Sequence, residues 1–298
     1  MFRLLSKQTN IFSIPAYMVC LLVFISLFNI LNFNILNIIS SIIAFLGIAL
    51  GYFLFNNIGL NRNTHLPLFI YTVLVFSFYF GDISIPLAFS ILAANLSTLI
   101  LISNNEKIGK RSYFLVGCLM GFMFVMMPQT WPLIIFIILH IFATASNVAA
   151  NLFRLFFGIF LLLVNYIGLY YLLDIPDYYT RLIPYVSDKM ITHIEPLIFL
   201  SPVALFLLYS IYDHFINFSK KSPSSKFRYT LLLVYSLSVL IILIFYMGTQ
   251  YEFLLLMAFP VSIITSRGLR FIPKYWVKEC ILWSIIIFAL LFKLGYYF

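Results

Sequence analysis

Apolar runs recur along the whole chain, separated by brief polar stretches that carry charges, prolines or Asn/Ser clusters. They fall at 14–32, 36–56, 66–81, 84–103, 112–127, 130–146, 152–173, 196–217, 229–248, 251–266 and 276–296. Most approach the roughly 20 residues that carry a helix across a bilayer, and several are shorter. The pattern predicts an all-α fold. It is a polytopic transmembrane helical bundle of 10–11 spans, forming one integral membrane domain over 1–298. The fifth and sixth runs are split only by Met127-Pro128-Gln129-Thr130-Trp131-Pro132. They are expected as a tight hairpin or as a re-entrant pair buried among other helices. Pro260 sits in the middle of the tenth run and predicts a kink.

Composition narrows the class. Of 298 residues, 63% are apolar and 9% are charged, against about 25% charged in a soluble domain. No soluble fold of this size has interior enough for that much apolar side chain. A disordered chain, a nucleic-acid binder and a disulfide-stapled secreted domain are excluded on the same ground. The run from Ile14 to Phe33 follows Arg3 and Lys7 but is too long for a signal peptide, so it is read as a retained helix. The three cysteines, Cys20, Cys118 and Cys280, lie far apart inside apolar runs and are read as small buried apolar residues.

The net charge of +9 gains meaning from its placement. With the N-terminus inside, every basic residue except Arg181, Lys189 and Lys293 falls in inside segments. Asp82, Asp174, Asp177, Asp188, Glu195 and Glu252 fall outside. This is the positive-inside pattern, and it predicts a cytoplasmic N-terminus and a periplasmic C-terminus. The expected location is a bacterial inner (cytoplasmic) membrane. The longest outer loop is 174–195, and the basic inner loops are 104–111, 218–228 and 267–278.

Ionisable residues inside a bilayer are costly and are functional hypotheses by default. Here they are few: His140 in the sixth run, Asp213 and His214 ending the eighth, and Glu279 early in the eleventh. Asp213 and Glu279 are read as helix-end charge, and His140 as neutral and hydrogen-bonded. Without a mid-membrane carboxylate, an ion-coupled carrier is disfavoured. Intramembrane asparagines such as Asn95 and Asn165 are expected to hydrogen-bond between helices. The outer loop holds the richest mixture of charge. Asp174, Asp177, Arg181, His193 and Glu195, with Asp82 on another outer turn, are the candidate catalytic residues if the protein is an enzyme. A membrane glycosyltransferase needs a carboxylate base for the acceptor hydroxyl and cations for a diphosphate leaving group. The simpler reading of the loop is a connector lying in the interface plane. No nucleotide, Walker, nucleophile-elbow or zinc signature is present, so no cofactor and no metal are expected.

Two stretches carry a resemblance. One is Arg62-Asn-Thr-His-Leu-Pro-Leu-Phe-Ile-Tyr71 with Leu92-Ala-Ala-Asn-Leu96 and the basic turn Lys107–Arg111. The other is Leu254-Leu-Leu-Met-Ala-Phe-Pro-Val-Ser-Ile-Ile264, followed by a basic turn and Trp276-Val-Lys-Glu-Cys-Ile-Leu-Trp283. With the opening Phe-Arg-Leu-Leu-Ser-Lys, these resemble an uncharacterised inner-membrane family of the Bacteroidota, a domain of unknown function. The resemblance covers the chain in order and implies no activity. The segment Val116-Gly117-Cys-Leu-Met-Gly121 through Pro128 is also similar to the paired-helix signature of polyprenyl-phosphate-dependent membrane glycosyltransferases and polymerases. Those enzymes place an acid in the first periplasmic loop. Here that loop, Asn34–Asn37, has none.

The leading functional expectation is a non-enzymatic subunit of an envelope biogenesis or secretion assembly. Its partners would be membrane lipids and other membrane or periplasmic proteins, and not nucleic acid. The alternative is an enzyme acting on a polyprenyl-phosphate-linked sugar at the periplasmic face. A transporter or lipid flippase is a second alternative.

Overall fold

The computed structural model describes residues 13–31, 34–58, 64–81, 83–102, 106–145, 147–174, 176, 179–185, 194–218 and 222–297. Each apolar run becomes a helix: α1 Ser13–Leu31, α2 Ile35–Ile58, α3 Leu66–Phe78, α4 Ile85–Ile102, α5 Glu106–Met126, α6 Pro132–Thr144, α7 Val148–Leu172, α8 Ser201–Ile216, α9 Pro223–Tyr246, α10 Leu255–Phe271 and α11 Tyr275–Tyr297. A single turn, Glu195–Ile198, precedes α8. No strand occurs among the described residues. Six of the segments are long and apolar enough to cross a membrane, and five are shorter. The basic stretches expected as loops are largely helix ends: α5 begins at Glu106, α9 at Pro223, and α10 runs on to Phe271.

The centre is α10, buried almost end to end, with α3 beside it. Helices α8 and α9 also pack on α10, and α11 closes over α3. Pro260 lies inside α10. A proline has no N–H for the carbonyl four residues back, and the Tyr235 hydroxyl of α9 donates to that carbonyl, Leu256, at 3.5 Å.

Two side pairs are held by small residues and by polar side chains. Between α2 and α4, a Cβ on Gly47 would lie 2.8 Å from the Leu92 backbone nitrogen. Asn95 Nδ2 donates to the Gly47 carbonyl at 2.8 Å, the interhelical role expected of an intramembrane asparagine. Asn165 instead donates to Leu161 within its own helix. Between α5 and α7, Gly117, Gly121 and Gly158 bring the two backbones together.

Helix α5 packs on α4 and α7, and α6 packs on α9. The 127–132 turn therefore joins two helices that pack chiefly on different neighbours, not a tight hairpin. Trp131 Nε1 donates to the Tyr246 hydroxyl at 2.9 Å, and at the other end Tyr113 and Thr144 hydroxyls meet at 3.2 Å.

Helix α7 is pinned on one narrow side: only Leu155, Gly158 and Ile159 are buried. Phe153, Phe156, Phe157 and Phe160 face outward. The expectation that all three cysteines are buried is corrected, because Cys20 and Cys280 are exposed and Cys118 is half-buried. They sit on outward faces of α1 and α11, where an apolar residue suits a lipid-facing surface as well as a core.

Candidate functional site

The outer-loop candidates separate in space. Asp82, Asp177 and His193 lie outside the described residues. Asp174 follows the end of α7, exposed and in a left-handed turn with φ 49°. Arg181 folds back on α7. Its Nη1 donates to the Tyr170 hydroxyl at 3.2 Å, and its guanidinium stands 5.9 Å over the Tyr170 ring. Tyr166 packs on Tyr170 with ring centroids 4.4 Å apart. Together with Val125, Met126 and Pro128, these three residues line a crevice of about 360 Å³. Glu195 opens the single turn that packs against α11. Among the described residues, no ion pair joins Asp174, Arg181 and Glu195. Of the predicted set, Arg181 lines this crevice, and no described carboxylate lines it with Arg181.

Polar groups inside the bundle mostly secure helices. Lys293, expected near the outer end of the last run, turns inward from α11. Its Nζ donates to the carbonyls of Phe76 and Tyr79 at 2.7 and 2.9 Å. It also stands 4.5 Å over the Phe24 ring and 4.9 Å over the Phe28 ring. It thus closes the C-terminus of α3, whose last carbonyls have no helical partners. Arg228 Nη1 does the same for α2, donating to Ile58 at 2.7 Å. His140 is buried between Tyr113 and Phe227, beside a cavity of about 60 Å³. Its Nδ1 has no hydrogen-bond partner among the described residues, contrary to the expectation of a hydrogen-bonded histidine.

The densest chemistry is at the opposite end from the outer loop, where α8 and α10 finish and α9 begins. Arg267 was expected in a solvated basic loop. It lies inside α10 and is 8% exposed. Its Nη2 donates to Ser225 Oγ at 2.8 Å. Its guanidinium stands 5.3 Å over Tyr229 and 5.9 Å over Phe271. On its far side Tyr229 stacks on His214, with centroids 3.6 Å apart and planes 8° from parallel. The Tyr229 hydroxyl donates to the Ser210 carbonyl at 3.2 Å. His214 is thus a buried packing partner in the last turn of α8. Asp213 is close enough to act electrostatically on both Tyr229 and Arg267. One sequence signal pointed here: Asp213-His214 is the only adjacent acid–histidine pair in the chain. The signal for Arg267 was masked, since a basic residue near a helix end is what the positive-inside pattern expects everywhere.

A family model for a family of unknown function matches residues 1–298, the whole chain. The chain belongs to DUF6427. No curated protein and no solved structure matches it. The resemblance to an uncharacterised family is met at that level, and membership brings DUF6427 chains no assigned residues. For this DUF6427 chain, the outer crevice at Arg181 and the basic cluster at Arg267 are therefore read from geometry alone. The second holds a buried cation with two nitrogens that have no hydrogen-bond partner among the described residues.

Proposed function

We propose that this protein is an integral inner-membrane protein of the Gram-negative envelope that acts as a non-enzymatic subunit of an envelope assembly. Lys293 carries the reading. This half-buried cation is committed to closing α3 and bracing α1, as a scaffold requires and as a transport or catalytic cation would not allow. Native mass spectrometry of the protein, taken from its own membranes in mild detergent, should find other polypeptides in fixed stoichiometry. A lone monomer overturns the proposal.

The same reading has eleven spans, with the N-terminus cytoplasmic and the C-terminus periplasmic. Its alternation, though not its orientation, is supported by contacts between helix ends that it puts on one side: α11 with α3, α6 with α9, and α2 with α9; the orientation rests on the distribution of charge. Single-cysteine labelling with a membrane-impermeant maleimide tests it. In a cysteine-free background, Tyr297→Cys should label from the periplasmic side, and Lys274→Cys only after permeabilisation. The reverse pattern inverts the topology.

The crevice at Arg181, Tyr166 and Tyr170 favours a second reading, an enzyme acting on a polyprenyl-phosphate-linked sugar at the periplasmic face. That reading expects Asp174→Ala, Asp177→Ala, Arg181→Ala and His193→Ala to fail in complementing a deletion strain while accumulating normally. Full complementation by all four variants excludes it.

A further inference from the structure

Arg267 presents an imbalance. A guanidinium has five N–H donors and no acceptor. Here one nitrogen, Nη2, is matched by Ser225, while Nε and Nη1 are buried with no hydrogen-bond partner among the described residues. A buried charge left with unmatched donors is among the costliest arrangements a fold can keep. The local carboxylate relieves it only from a distance and matches none of its donors. Among the described residues Asp213 forms no ion pair with Arg267, and its Oδ1 accepts from Asn217 Nδ2 at 3.0 Å. Further positive charge gathers around the same place. Arg270 lies three residues further along α10, in the next turn. Lys226, adjacent to Ser225, holds its Nζ 4.7 Å over the Phe218 ring. The 24-residue helix α9 also opens here, with Pro223 in its first turn. Its first N–H groups have no intrahelical acceptors and favour an anion.

We propose that this cluster is an anion site that takes a phosphate group, with Arg267 as its floor. The stacked Tyr229 and His214 hold the guanidinium in one plane. Ser225 fixes its rotation, and Lys226 and Arg270 lie within one turn of Ser225 and Arg267 along α9 and α10. A tetrahedral phosphate supplies several acceptor oxygens, which suits an arginine with unmatched donors on two nitrogens. The phosphate can arrive on a phospholipid headgroup, since the site lies in the last turns of a helix long and apolar enough to span a membrane, or as free phosphate. The site does not depend on whether the protein is an assembly subunit.

The test uses the full-length protein in mild detergent. It is titrated separately with short-chain phosphatidic acid, short-chain phosphatidylcholine and inorganic phosphate, reading the thermal midpoint and the bound mass. Saturable stabilisation by phosphatidic acid alone identifies a lipid headgroup, and stabilisation by inorganic phosphate as well identifies a free phosphate. In either case Arg267→Gln should weaken binding at least tenfold, and Arg267→Lys should weaken it less. Arg154→Gln, a basic residue of α7 held by Asn151, should leave binding unchanged. If Arg267→Gln does not accumulate, the double variant Lys226→Gln/Arg270→Gln serves, with an expected several-fold loss. The proposal is overturned if neither phosphate source binds. It is also overturned if binding survives Arg267→Gln, if the double variant binds as wild type, or if Arg154→Gln weakens binding equally.

Discussion

Gly158→Leu should prevent the protein from accumulating, and Gly158→Ala or Gly117→Ala alone should cost about 1–3 kcal/mol, the range for overpacking a tight contact. A Cβ on Gly117 would sit 2.3 Å from the Leu155 carbonyl oxygen, and one on Gly158 would sit 2.6 Å from the Phe114 oxygen. These neighbours are backbone atoms, so no rotamer change relieves the overlap. The helices themselves must part, and van der Waals contact is what holds helices together where lipid removes the hydrophobic drive. The effect is large because α7 has little else to hold it, with three buried residues in 25. Gly168 on the same helix is the control: nothing lies within 4 Å of its added Cβ. Gly168→Ala should be neutral or stabilising by up to about 1 kcal/mol, since alanine is the better helix former. Thermal unfolding in mild detergent distinguishes the positions. If Gly117→Ala and Gly168→Ala unfold at the same midpoint, the seam does not bear the load assigned to it.

The same glycines show what the sequence could and could not disclose. The spacing Gly117-Cys-Leu-Met-Gly121 puts two small residues on one helix face, a pattern legible at once. Its partner was not legible. The adjacent run, α6, is the natural guess, but α7 carries the matching Gly158. The apolar runs became helices because length and composition decide that locally. Which helix packs on which depends on small-residue positions that any apolar sequence offers many times over. The site was harder still. Arg181 was legible as a candidate because the outer loop is rich in charge, and the structure keeps it beside a crevice. Arg267 was hidden because burial depends on the neighbours brought to it. Ser225 and Tyr229 lie about 40 positions earlier in the chain, and only the return of α9 against α10 places them there. Charge counts alone cannot separate a buried arginine from fourteen others on the same side.

Lys293→Met should lower stability by about 2 kcal/mol, and the sign follows from what is left behind. The substitution keeps most of the side-chain length and removes a desolvated ammonium. In isolation, removing a buried charge is neutral or favourable, and methionine regains part of the contact with the Phe24 and Phe28 rings. Against this stand the carbonyls of Phe76 and Tyr79, each accepting from Nζ. Tyr79 lies one residue beyond α3, at the cap position, and Phe76 lies in its last turn, so neither carbonyl has an i+4 helical donor to fall back on. An orphaned buried acceptor costs about 1–3 kcal/mol. Two of them, together with the lost cation–π attraction of about 1–2 kcal/mol, outweigh the relief of the charge. Lys293→Arg should lose less, since it keeps donors and charge in reach of the same carbonyls. The loss should also be local. Hydrogen exchange should speed up first at the end of α3 and in α1, while the α5–α7 seam stays protected. An unchanged unfolding midpoint for Lys293→Met would mean that those carbonyls find other donors and that Lys293 is a passenger. The scaffold reading of the protein would then lose its main support.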